Sequence, residues 1–271
     1  MNNPLGEQVP QPSKYDPGIL YPIPRWPARS LLDIDKKLRM FGLDHWNAYE
    51  ISWLSPDTKP HVAMAEIFFD GDSENIVESK SLKLYLNSLN NEIFDSGEAL
   101  SEVLENDLSA VSRSRVMVKL KQADAPPVWH SHQHASLDTV SLLPGGARPE
   151  PDMAILDTDD DAAFDECLVS DLFRSKCPVT GQPDWASVTI QYTGRKINSA
   201  SLLTYLCSYR EHQAYHEECA ERIFRDISLG CEPAELLVAM NYLRRGGLDI
   251  NVYRSSAPVS SDSVYQRGAR Q

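Results

Sequence analysis

The sequence predicts an α+β fold made of two pseudo-equivalent units, with antiparallel strands in one layer and helices in the other. Three observations lead there. Runs of strand-like character alternate with runs whose apolar residues recur at helical spacing. The order hairpin, helices, strand occurs twice along the chain. Individual residues also repeat. Ser81-Leu82-x-x-Tyr85-Leu86-x-Ser88 matches Ser201-Leu202-x-x-Tyr205-Leu206-x-Ser208 at an offset of 120, while Pro60, Ala63, Ile67 and Phe69 match Pro183, Ala186, Ile190 and Tyr192 at 123. The change of offset is a difference in loop length.

Residues 1–30 hold seven of the 18 prolines and read as an extended arm, because proline fixes φ and removes a backbone donor. The first unit, residues 31–142, opens with strand-like runs at Trp46–Leu54 and Val62–Asp70 around a turn at Ser55–Pro60, which predicts an antiparallel hairpin. Leucines at helical spacing over 81–108 predict two helices, separated near Asp95–Gly97, with Ser96 as N-cap of the second and Ser79 or Ser81 capping the first. Arg115–Leu120 reads as a strand. Residues 143–166 are rich in Pro and Gly and then acidic, and mark a linker that could hold a strand at Met153–Leu156. The second unit, 167–271, repeats the order: a strand at Trp185–Tyr192, helix over 199–228, and a strand at Leu236–Tyr242.

Composition narrows the function classes. At 271 residues and 42% hydrophobic, the chain can bury a real core. A net charge of −13 argues against a large nucleic-acid surface, which would need clustered Lys and Arg. No apolar run reaches the ~18 residues of a membrane span, and no secretory signal is visible, so a cytoplasmic protein without membrane partners is expected. Five widely spaced cysteines with no C-x-x-C suggest free thiols, at most one or two of them chemical. There is no G-x-G-x-x-G and no G-x-x-x-x-G-K-[ST], which leaves Rossmann and P-loop nucleotide sites unsupported.

Four segments could carry chemistry, and each also has a purely structural reading. Cys177-Pro178-Val179-Thr180-Gly181-Gln182-Pro183-Asp184-Trp185 is a rigid turn with a thiol and a carboxylate at its ends. Such a turn can fix a nucleophile against a proton donor, or can hold a structural Cys and a turn-forming Asp. Glu78-Ser79-Lys80-Ser81-Leu82-Lys83 stands at the entry to the first helix; Glu78 could accept two parallel N–H bonds from a planar nitrogen base and Lys80 and Lys83 could meet phosphate, or this is an ordinary polar helix start. Tyr215-His216-Glu217-Glu218 begins a helix and offers a proton-shuttling imidazole beside carboxylates, or a solvated helix face. Arg244-Arg245-Gly246-Gly247 allows close backbone approach to a phosphate beside guanidinium groups, or forms a turn after a strand. His130, His132 and His134 alternate, but nothing nearby completes a ligand set, so no metal is expected. The acidic run Asp157–Asp161 lacks the spacing of a calcium loop.

Taken together, E-S-K-S-L-K-L-Y (78–85), C-P-V-T-G-Q-P-D-W (177–185), H-E-E-C (216–219) and R-R-G-G-L-D-I-N (244–251) resemble the QueF-type nitrile reductases in their long, two-unit form. The resemblance implies the tunnelling fold (T-fold), tandem ββααββ units, and NADPH-dependent reduction of the nitrile of 7-cyano-7-deazaguanine to an amine in queuosine biosynthesis. It implies Cys177 as the nucleophile forming a thioimide and Asp184 as the proton donor. Val77, Glu78, Ser79, His216 and Glu217 would hold the purine-like base, and Ser79, Lys80, Arg245 and Gly246 would contact NADPH. It further implies a homodimer. Tyr215 stands where Phe is associated with the family, and its face can still stack on a base. Two other readings remain open: a Cys-dependent hydrolase or amide-forming enzyme on a related base, and a non-catalytic base-binding protein.

Overall fold

Strands in this chain form where apolar side chains alternate, and most of them pair with a sequence neighbour through a tight turn. The computed structural model describes residues 12, 14–34, 38–122, 135–262, 264, 270 and 271. His130, His132 and His134 lie outside the described residues. The chain divides into two compact units, residues 1–27, 44–128 and 244–250, and residues 28–43, 129–243 and 251–271.

The first unit contains β1 (Pro22–Pro24), most of β2 (Phe41–Leu54), β3 (Pro60–Asp70), β4 (Asn75–Val77) and β5 (Val116–Gln122), with helices α2 (Ser79–Ser88) and α3 (Gly97–Ser112). Its main strand order is β5-β3-β2. Strand β5 runs antiparallel to β3 from Ala63↔Gln122 to Phe69↔Val116. Ala63, Ala65, Ile67 and Phe69 of β3 are buried at the spacing of one sheet face. Leu100, Leu104 and Leu108 on α3 are fully buried, and that helix packs on β5. Strand β1 pairs only with β4, the setting in which Pro22 and Pro24 cost no central ladder bond.

The second unit contains β6 (Ala135–Ser136), β7 (Thr158–Lys176), β8 (Pro183–Ile197), β9 (Glu235–Tyr242) and most of β10 (Leu248–Ser255), with α4 (Ser199–Cys207) and α5 (His216–Gly230). The order is β10-β9-β8-β7-β6, antiparallel except for the short β6–β7 pair. Strand β8 buries every second residue from Asp184 to Tyr192. One ionic cluster lies in this interior: Glu221 accepts from Arg29 and Arg254, with Oε1 2.9 Å from each Nη2. Each of these charges is compensated by its partner, as burial demands. Gly42 is required there, because a Cβ would stand 2.9 Å from Arg254 Cδ.

Several expectations are corrected. The proline-rich segment ends in a helix, α1 (Trp26–Leu32), because Pro27 falls in the first turn, where its missing N–H has no intrahelical acceptor. Met153–Ile155 is a 3-10 turn instead of a strand, closed by Asp152 Oδ1 accepting from Ala154 N. The acidic run belongs to β7, which begins at Thr158 with exposed residues. Residues 199–228 form two helices joined through a 3-10 turn at Ser208–Glu211. The cap of α2 is Glu78, whose two carboxylate oxygens accept from Lys80 N (2.8 Å) and Ser81 N (2.7 Å), not Ser79 or Ser81. Ser96 caps α3 as expected. The sheet is antiparallel-dominated within an α+β architecture.

Candidate active site

Cys177 opens the loop between β7 and β8. Its N–H donates to the carbonyl of Gln182 (2.9 Å), and Gly181 N returns a bond to the Cys177 carbonyl (3.0 Å). Gly181 has φ +66°, the left-handed region that glycine adopts without strain. The strand register sets Lys176 against Pro183 and Ser175 against Asp184. Side chains paired across antiparallel strands point to the same face, as do residues two apart on one strand. The register therefore places Ser175 and Asp184 on one side of the hairpin, and Cys177 follows directly after β7 at the start of its loop. Cys177 is partly exposed, whereas Asp184 is buried at 4%.

A neighbouring segment locks this hairpin. Lys176 N donates to His212 O, and Ala214 N donates to Lys176 O, forming a parallel bridge just before α5. Helix α5 starts two residues later. Tyr215 N donates to Glu218 Oε2 (3.0 Å), so Glu218 satisfies the entry to the helix. His216 Nε2 then lies 3.6 Å from Asp184 Oδ2, and Glu217 is 2% exposed. The face of the His216 ring lies against Tyr242, centroid to centroid 3.8 Å. The fold thus gathers Asp184, His216 and Glu217 beside the Cys177 loop. All five cysteines are free. Burial pushes the thiol of Cys219 up to about 12 and that of Cys231 up to about 11, and it raises those of Cys167 and Cys207. These four are poor thiolates at neutral pH.

Val77, Glu78, Ser79, Lys80, Arg245 and Gly246 belong to the first unit. Glu78 is 3% exposed, and burial raises its carboxyl above the ordinary range even though the Lys80 and Ser81 N–H groups pull it down. Each carboxylate oxygen has a further lone pair, so the cap does not exhaust its capacity to accept. The Arg244–Gly247 segment is a turn in which Arg245 N donates to Leu248 O (2.9 Å). Gly246 and Gly247 have φ +60° and +79°, and a Cβ on Gly247 would stand 2.6 Å from Glu50 Cδ. A Cβ on Gly246 would stand 3.3 Å from Lys83 Cδ, so the turn lies against α2, the helix that starts with Ser79 and Lys80. Arg245 is exposed and Lys80 partly so. A glycine turn beside cations suits a phosphate-bearing cofactor such as NADPH.

Sequence reasoning missed the supports of this turn. Tyr49 N donates to Gly247 O (2.9 Å), its hydroxyl donates to the buried Asp249 (2.5 Å), and its ring carries the Arg244 guanidinium at 4.2 Å. Asn47 Nδ2 also donates to Asp249 (2.7 Å). Tyr242 was missed as well; its only sequence signal is its place just ahead of the paired arginines. Among the described residues, no cluster of His, Cys, Asp and Glu could hold a metal ion.

Comparison with known proteins identifies the family. Residues 11–120 match the model of the nitrile reductase, 7-cyano-7-deazaguanine-reductase N-terminal family, and residues 183–260 match that of QueF-like proteins. A relative from Stenotrophomonas maltophilia (strain R551-3) is 46% identical over 278 residues, covering all of both chains. One from Burkholderia orbicola (strain MC0-3) is 46% identical over 258 residues, 94% of each chain, and one from Bordetella parapertussis is 45% identical over 279 residues, 100% of this chain and 98% of the relative. All three are named NADPH-dependent 7-cyano-7-deazaguanine reductase. By family models and full-length identity together, the chain belongs to the 7-cyano-7-deazaguanine reductase (QueF) family.

Proposed function

We propose that this protein reduces the nitrile of 7-cyano-7-deazaguanine to the primary amine with two NADPH, the step of queuosine biosynthesis for which its relatives are named. The observation that carries this reading is the partly exposed Cys177 at the head of the loop of a hairpin whose buried Asp184 is approached by His216 at 3.6 Å.

Cys177 adds its sulfur to the nitrile carbon while Asp184 delivers a proton to the nitrogen, giving a thioimide. His216 sits where it can replenish that proton. NADPH, when bound, supplies hydride to the activated carbon, twice in all. Between the two transfers the C–S bond breaks and Cys177 leaves as thiolate, giving an imine, and a second proton delivered to the nitrogen through Asp184 completes the amine. Glu217 and Glu78, with the backbone at Val77 and Ser79, select the base: a buried carboxylate left without N–H partners penalises the wrong ring. Ser79, Lys80, Arg245 and Gly246 hold the cofactor phosphates. Excluding water protects the thioimide from hydrolysis. The same reading includes the T-fold for each ββααββ unit, a homodimer, and a cytoplasmic setting acting on a free base without nucleic acid. Among the described residues, no helix is long and apolar enough to cross a membrane.

The direct test mixes protein and nitrile and follows NADPH absorbance. Oxidation at two NADPH per nitrile is expected; folded protein that oxidises none sinks the reading. Without NADPH, intact mass should show an adduct of one nitrile per chain that Cys177→Ala abolishes.

A further inference from the structure

The wall behind His216 is built for one purpose that its own motif does not reveal. Tyr242 ends β9, pairs with Ala186 across β8, and is 1% exposed. Its ring meets His216 at 3.8 Å with a 31° tilt, while Phe173 backs it edge-on at 6.3 Å and 89°. Among the described residues its hydroxyl reaches Met240 Sδ at 3.9 Å and the Cys219 thiol, with the charges of Asp184 and Glu217 nearby, while the contact with His216 is made by the ring. The strand end behind the ring is fastened too. Gln271 Nε2 donates to the Tyr242 carbonyl (3.1 Å) and to Asn251 Oδ1 (2.6 Å), which also accepts from Asn241 (2.8 Å). Gln271 is itself buried at 8%.

The first unit supplies an independent control. Gln122 pairs with Ala63 as Tyr242 pairs with Ala186, and α3 starts at Gly97 where α5 starts at His216. The unit with no imidazole at its helix start has no ring at the matching strand position. The ring therefore accompanies the histidine and is not part of the shared scaffold.

We infer that Tyr242, braced by Gln271, is a positioning residue that holds the His216 imidazole edge toward Asp184. This inference rests on the reductase reading for its kinetic consequence, but not for its structural one. A flat aromatic face restricts rotation of the imidazole; a branched aliphatic side chain of similar volume does not.

The test joins NMR of histidine-labelled protein without substrate to steady-state kinetics. In the wild type, the His216 ring protons should show an upfield ring-current shift. Tyr242→Leu should abolish that shift and lower kcat by about 10- to 100-fold, since misplacement of a catalytic group by ~1 Å costs up to two orders of magnitude. KM for NADPH should not change. Tyr242→Phe should restore both shift and rate, and Gln271→Ala should move both in the same direction by less. Unchanged His216 signals or unchanged kcat in Tyr242→Leu overturns the inference; if that variant does not fold, unchanged signals and kcat in Gln271→Ala overturn it. A wild-type protein that shows the shift but oxidises no NADPH refutes the reductase reading and leaves the positioning contact standing.

Discussion

The hairpin β2–β3 in the first unit and the hairpin β7–β8 in the second use the same backbone bonds for different ends. In each, the first loop residue donates its N–H to the carbonyl of the last, Ser55 to Lys59 and Cys177 to Gln182. The residue before it bridges a segment ahead of the second helix, Leu54 to Ile93 and Lys176 to Gln213. The side chains then diverge. Ser55 stands where Cys177 stands. His61, stacked on Trp53 at 5.2 Å, stands where Asp184 faces Ser175. One hairpin spends its face on packing, and the other holds a thiol and a buried acid. A scaffold set by main-chain bonds tolerates such divergence, because those bonds do not depend on side-chain identity.

The likeness extends to the helices. Tyr85 donates to Asp107 (2.6 Å) as Tyr205 donates to Asp226 (2.6 Å). Ser81 Oγ accepts from Tyr21 N as Ser201 Oγ accepts from Asp157 N. Even the leading 3-10 turns agree, Asp16 closing one and Asp152 the other. Residues 16–21 of the proline-rich segment are thus the counterpart of residues 152–157, a relation that composition conceals.

The largest separation between the units should appear at the second residue of the second helix. Glu217 is buried and Glu98, its counterpart, is exposed. Glu217→Gln should lower kcat/KM for the nitrile by about 30-fold or more, the cost of leaving a buried partner unpaired. Glu98→Gln should leave it within about twofold. Steady-state NADPH assays decide, and equal effects would remove the distinction drawn here.

The helix caps give a smaller contrast. Glu78 caps α2 and Asn198 caps α4. Asn198→Ala should cost about 1 kcal/mol at any pH. Glu78 differs because burial raises its carboxyl in the folded state. The folded chain then holds that proton more tightly than the unfolded chain does. Its contribution is greatest below the ordinary Glu value of about 4.3 and declines as pH rises through the raised folded value. Glu78→Gln should flatten that decline in urea midpoints measured from pH 4 to 7. An unaltered profile would show that Glu78 does not titrate there.

The smallest contrast concerns two tyrosines. Tyr209 reaches the Tyr205 hydroxyl (2.8 Å) in a fully buried pair, whereas Tyr15 reaches Asp107 (2.7 Å) near the surface. Tyr209→Phe should cost about 1 kcal/mol and Tyr15→Phe about half that or less, since water replaces the exposed bond. Urea titration of both variants ranks them.

Much of this was legible along the chain. Periodicity located β2, β3, β5, β8 and β9 and α3 with its Ser96 cap, because one buried face imposes a spacing on the sequence. The repeat at offsets 120 and 123 announced two like units. The four motifs supplied the candidate site residues through family resemblance. Strand β10 was missed, since Leu248–Asn251 read as the tail of the glycine turn, and all eight of its residues are buried, Asp249, Asn251 and Arg254 among them. Nor was β7, whose acidic start reads as linker.

The sequence by itself determined the residue types that could do this chemistry and the elements on which they lie, because both follow from local order. Tertiary structure alone decided that Asp184 meets His216 and that Tyr242 backs it. Those pairings come from strand register and burial, which join residues dozens of positions apart and leave no local period to read.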